Sequence, residues 1–137
     1  MIEILNQQHR YWINAKRFKR LLQQLTKHYR LKDPEIVLAF VNNKKIKDLN
    51  RRFLKKNKPT DVLSFPLREQ SADGKFYLGD IIISVPQAFK QGSSQKHGLE
   101  RELEILTIHG FLHLLGLEHS AGIEQEEEEL RALLLKE

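Results

Sequence analysis

Residues 109–119 read HGFLHLLGLEH. His109 and His113 stand four apart in an apolar run, so on a helix they project from one face, one turn apart, close enough to share an ion. Gly116 lies where that helix should stop, because glycine accepts the left-handed conformation that follows a helix end. The chain can then turn back and bring His119 toward the first two. Three converging imidazoles with a fourth position open are the layout of a catalytic zinc site. A closed structural site needs a fourth protein ligand, and the chain has no cysteine to supply one. Two histidines at this spacing are, alone, more often partly buried helix residues. The third, beyond a helix-ending glycine, shifts the reading to metal binding. His9, His28 and His97 have no such partners and read as surface or loop residues.

The histidine helix is expected over 99–115, with Phe111, Leu112, Leu114 and Leu115 packing it down. Upstream, the strongest strand is expected over 77–85, since Ile81, Ile82 and Ile83 are all β-branched. Pro86 suits the first turn of a short helix. Further strands are expected around Ile2 and Ile4, over 36–41 and over 62–65, where Pro66 ends the strand or places it at an edge. Asn14 reads as the N-cap of a helix to about residue 30, with Ala15, Phe18, Leu21, Leu22, Leu25 and Tyr29 as its buried stripe. A short basic helix covers 44–54, and a last, acidic helix 123–135. There the run from Glu124 to Glu129 reads as a solvated face, with Leu130, Leu133 and Leu134 as the packing side. Strands and helices do not alternate regularly, so the expected class is α+β, with a single mixed sheet packed by helices.

The chain has 137 residues, 40% hydrophobic and 30% charged, enough apolar material for one core, so residues 1–137 read as a single domain. No apolar run approaches the roughly 18–20 residues of a membrane span, and no signal sequence is visible at the N-terminus. Without cysteine, disulfides and thiol catalysis are excluded. These features point to a soluble cytoplasmic domain. Charge is unevenly distributed: residues 1–58 carry 16 Lys and Arg against 4 Asp and Glu, and residues 59–137 carry 7 against 14. Such asymmetry suggests a polyanionic partner for the basic half.

The spacing of 109–119 is similar to the extended zinc motif of the metzincin proteases, H-E-x-x-H-x-x-G-x-x-H. A zincin-like histidine helix followed by a turn is therefore expected. The protease's general-base glutamate is replaced by Gly110, which makes peptide hydrolysis a poor reading.

A second resemblance covers most of the chain. The same segment is similar to the H-G-x-L-H-L-x-G-x-D-H signature of the YbeY family of bacterial metal-dependent endoribonucleases. KPTDVLSFP at 58–66 and LGDIIIS at 78–84 resemble two further blocks of that family, in the same order. The resemblance implies one zinc per chain held by His109, His113 and His119. It also implies cleavage of single-stranded RNA in rRNA maturation, notably at the 3′ end of the small-subunit rRNA, and a part in ribosome quality control. The implied partners are an rRNA precursor and the small ribosomal subunit, in the cytoplasm, with no membrane. Glu118 stands where the family has Asp, and reads as an imidazole-orienting carboxylate or as an acid–base group. Leu54 stands where the family carries an arginine, and Arg51, sharing a helix face with it, or Arg52 is expected to supply the missing charge.

The RNA track is expected along Arg51, Arg52, Lys55, Lys56 and Lys58, whose phosphate contacts position RNA without reading its sequence. Thr60 and Asp61 read equally as a turn and as part of the substrate site, and Ser64 and Asp80 as structural. Two rival readings remain: a ribosome- or RNA-associated factor with a mainly structural metal, and a metal-dependent hydrolase of another phosphoester or an amide. Imidazole ligation favours zinc, though nickel or copper can occupy such a site.

Overall fold

The computed structural model of the chain describes residues 1–58, 60–117 and 121–135. The elements run β1 (Ile2–Asn6), α1 (Ala15–His28), β2 (Glu35–Val41), α2 (Asn43–Leu54), β3 (Val62–Gln70), β4 (Phe76–Ser84), α3 (Val85–Ser94), α4 (Gly98–Leu114) and α5 (Ala121–Leu134). The four strands form one sheet in the order β1-β2-β4-β3. β1, β2 and β4 are parallel, and β3 returns antiparallel to β4. The expected α+β class with a single mixed sheet is what the chain adopts.

β2 lies between two strands and is buried from Leu38 to Val41, as a strand covered on both faces should be. On one face, Phe18, Leu22 and Leu25 of α1 meet Ile36, Leu38 and Phe40 of β2, Ile81 and Ile83 of β4, and Leu103, Phe111 and Leu112 of α4. On the other face α2 caps a smaller cluster of Ala39, Val41, Ile46 and Leu63. Within α1 the expected stripe holds from Phe18 to Leu25, but Ala15 is exposed and Thr26 is buried in its place. Thr26 hides its hydroxyl by donating to the Gln23 carbonyl at 2.9 Å.

Pro66 does not end its strand. β3 continues to Gln70 at the sheet edge, where a residue without an N–H is tolerated. The pairing slips between Pro66 and Glu69, with Arg68 at φ +48° in the bulge. Opposite Pro66 stands Gly79, at φ +147°, where a Cβ would lie 2.4 Å from the Phe65 carbonyl oxygen. Only glycine fits this crossing of β3 and β4. No helix among the described residues is long and apolar enough to cross a membrane.

Candidate metal centre and its cleft

Helix α4 is held by its own burial: Leu103, Leu106, Ile108, Phe111, Leu112 and Leu114 are all buried. His109 and His113 are half-buried on its remaining face, with ring centroids 4.5 Å apart. Their Nε2 atoms stand 3.0 Å apart. Two imidazole nitrogens on a tetrahedral zinc lie roughly 3.3 Å apart at the usual ~2.0–2.1 Å bonds, so a slight opening of the pair fits it to such an ion. The helix ends as expected. Gly116 takes φ +88°, its N–H donates to the His113 carbonyl at 3.0 Å, and the Leu117 N–H donates to the Leu112 carbonyl at 3.1 Å. That bond pair is a Schellman cap. The Arg68 guanidinium rests against Gly116, 2.5 Å from where a Cβ would be. His119 and Glu118 lie outside the described residues. Among the described residues, no group of three or more His, Asp or Glu is placed to hold an ion, so the described part of the centre is the histidine pair.

Gly110 explains how closely the histidine helix approaches the sheet. A Cβ there would sit 2.6 Å from Ile81 Cγ2 and 3.2 Å from Ser64 Oγ. Position 110 thus faces the sheet, and glycine is needed there for contact. Ser64 locks the same contact by donating its hydroxyl to the Gly110 carbonyl at 3.2 Å, in agreement with its structural reading.

The histidines open onto a cleft of about 400 Å³ between α4 and the edge strand β3, lined also by Leu54, Thr60, Asp61, Val62, Ser64 and Pro66. Asp61 lines this cleft with both carboxylate oxygens bonded. Its Oδ1 accepts from the Val62 N–H at 2.8 Å, and its Oδ2 accepts from Gln91 Nε2 at 3.3 Å. Gln91 also donates to buried Glu102 at 2.9 Å, and Glu102 pairs with His97 at 2.7 Å. His97 is an exposed loop residue, as expected, and its ring is the outer end of a polar chain reaching from the cleft.

The basic residues divide. Lys55, Lys56 and Lys58 are exposed in the loop that joins Leu54 to Thr60, both lining residues of the cleft. Lys55 closes α2 with φ +57°, and buried Asn50 pins the loop by donating to the Lys58 carbonyl at 2.9 Å. Arg51 and Arg52 instead turn to Asp48, at 2.7 and 3.5 Å. Arg51 lines a separate hollow with Asn42, Lys44, Lys45, Lys47 and Asn57. The structure thus brings Leu54 to the cleft and places Arg51 on another side of the helix.

One contact was not anticipated. His109 Nδ1 bonds to Glu127 Oε1 of α5. Burial pushes the Glu127 carboxyl up, but the bond to His109 and the nearby Arg131 guanidinium hold it below the usual carboxylate range. Its neighbour Glu126 bonds to the Tyr29 hydroxyl, where burial and that bond push the phenol well above its ordinary range. The acidic run is therefore solvated only in part. The signal was present in the spacing: Ile123, Glu127 and Leu130 fall at i, i+4 and i+7, a single helix face, and Ile123 and Leu130 are buried.

Asp80 sits half-buried on β4, away from this cleft, beside Glu3, Glu35 and Leu67. Burial pushes its carboxyl up.

The described histidines and most of the cleft lining fall within two of the three sequence blocks, 58–66 and 109–119, and the third, 78–84, supplies the strand against which Gly110 of the histidine helix packs. A match to the family described as Endoribonuclease YbeY spans residues 3–135. The Oceanobacillus iheyensis protein named Endoribonuclease YbeY is 47% identical over 95 residues, covering 64% of this chain and 62% of that protein. The Moorella thermoacetica protein of that name is 45% identical over 112 residues, covering 74% of this chain and 72% of that one. The aligned stretch thus spans less than two thirds of the Oceanobacillus protein's own length. The solution structure of TM1509 from Thermotoga maritima superposes with a TM-score of 0.63 at 26% identity, covering 95% of this chain and 86% of that one. Taken with the fold and the histidine helix, the match over nearly the whole chain means that the protein belongs to the YbeY family of endoribonucleases.

Proposed function

We propose that the protein is a zinc-dependent endoribonuclease that cuts single-stranded RNA during maturation of the small-subunit rRNA 3′ end and in ribosome quality control. The observation that carries this reading is the pair of Nε2 atoms 3.0 Å apart, at a cleft whose lip is a lysine-bearing loop. His109 and His113 would hold the ion, with His119 as the third ligand proposed from the sequence. When bound, such an ion supplies Lewis-acid polarisation of a phosphodiester oxygen.

The chain's own residues do the rest. The cleft between β3 and α4, about 400 Å³, is of a size to take a splayed-out nucleotide, which fits a single-stranded substrate. Lys55, Lys56 and Lys58 meet the phosphates on either side of it. Asp61, fixed by Val62 and Gln91, presents an oriented carboxylate to the same space, where it accepts a proton or a hydroxyl hydrogen of the substrate. The packing of α4 supports this reading over a mainly structural metal, because six buried apolar side chains already hold the helix. The test is cleavage of a single-stranded rRNA precursor by zinc-loaded protein, beside His113→Ala. The variant should keep its thermal transition and lose cleavage together with stoichiometric zinc. Undiminished cleavage by His113→Ala would refute the proposal.

A further inference from the structure

The contact between α5 and the histidine helix has a specific chemical meaning, which builds on the metal reading above. A neutral imidazole has one N–H and one lone pair, and a carboxylate can only accept. A carboxylate at Nδ1 therefore keeps the proton on Nδ1 and puts the lone pair on Nε2, the atom that meets His113 Nε2 at 3.0 Å. We propose that Glu127 is the positioning residue of this centre: it fixes the tautomer and ring angle of His109 so that Nε2 faces the cation.

Three observations support the assignment. The Glu127 side chain is only 13% exposed and that of His109 24%, so the bond is largely screened from competing water. The position belongs to the apolar stripe of α5, between Ile123 and Leu130, where burial of a carboxylate is costly unless a donor meets it. Its acidic neighbours Glu124, Glu128 and Glu129 are exposed. Helix α5 is itself tied down, by buried Ile123, Leu130 and Leu135 and by the bond from Tyr29 to Glu126, so the carboxylate is delivered from a rigid element. The role that the sequence suggested for Glu118 is thus filled, for His109, by a residue eighteen positions along the chain.

Glu127→Leu tests this, because leucine suits the stripe and keeps α5 docked while removing the acceptor. Glu127→Gln keeps the shape and an acceptor oxygen without the charge. Metal-free protein should show His109 as the Nδ1–H tautomer by nitrogen-edited NMR. In Glu127→Leu that preference should be lost although the thermal transition stays at or above the wild-type value. Zinc affinity, measured by chelator competition, should weaken about 10–100-fold in Glu127→Leu and less in Glu127→Gln. An unchanged tautomer, or zinc affinity within twofold of wild type in Glu127→Leu, overturns the proposal. If Glu127→Leu unfolds, Glu127→Ala, which also lacks an acceptor, decides on the same two readouts. Failure of the wild-type protein to bind zinc would instead count against the metal reading, and the tautomer of His109 would still decide the role of Glu127.

Discussion

Placing a methyl group at Gly110 probes the contact on which the site is built. In Gly110→Ala the new Cβ would meet Ile81 Cγ2 at 2.6 Å and Ser64 Oγ at 3.2 Å. The first neighbour is a fully buried side chain in the middle of β4, so it cannot move aside without disturbing the core. Overpacking of this kind costs about 1–3 kcal/mol. The helix gains slightly from losing a glycine, by roughly 0.5–1 kcal/mol, so the net loss should lie at about 0.5–2 kcal/mol. For a domain of this size that is a fall in Tm of roughly 2–10 °C. Urea or thermal unfolding of metal-free protein measures it. The cause is checked by a double-mutant cycle with Ile81→Ala, which removes the clashing methyl. Alanine at 110 should then cost nothing or stabilise, giving a coupling of about 1–3 kcal/mol. Strict additivity of the two changes, or a Gly110→Ala protein as stable as wild type, refutes the reasoning. The same geometry bears on the protease comparison: a glutamate at 110 would point into the sheet.

Three further outcomes are expected. Gly116→Ala should lower stability by about 1–2 kcal/mol, since a non-glycine residue in the left-handed region is strained and its Cβ must displace the Arg68 guanidinium; denaturant midpoints measure this. Asp80→Asn should raise Tm at neutral pH, because burial raises the folded-state carboxyl. That carboxyl favours folding only while protonated, and the advantage is lost as pH rises through its raised folded value. The gain of the variant should therefore vanish below the ordinary aspartate value of about 3.9, and a gain that persists there would exclude burial of the charge as its cause. Neutralising Lys55, Lys56 and Lys58 together should reduce the slope of log affinity against log salt for single-stranded RNA by about 2. Neutralising Arg51 and Arg52, which are paired with Asp48, should change it less; the reverse order would move the RNA track away from the cleft.

What could be read from the chain depended on the range of the interaction involved. The His109–His113 pair and its Gly116 stop are local: spacing of four and a left-handed cap are properties of one helix, and both appear as expected. The apolar periods of α1 and α4 and the β-branched run of β4 are likewise local, and located the elements. Contacts between elements were less accessible. Glu127 sits in an acidic run that looks solvated until α5 is docked on α4. Leu54, three residues beyond Arg51, faces the cleft while Arg51 does not, and only the rotation of α2 about its axis decides this. Pro66 allowed two outcomes, and the pairing of Gly79 opposite it selected the continuing edge strand.

That edge strand also bears on edge-to-edge association. The outer side of β3 carries unpaired backbone groups, the usual template for edge-to-edge association. Pro66, the bulge at Arg68 and the charge of Glu69 interrupt that template. Because Val62, Leu63, Ser64 and Pro66 line the histidine cleft, a strand added from a second molecule would cover it. The interruptions that spoil this edge for strand addition are thus what leave the cleft uncovered.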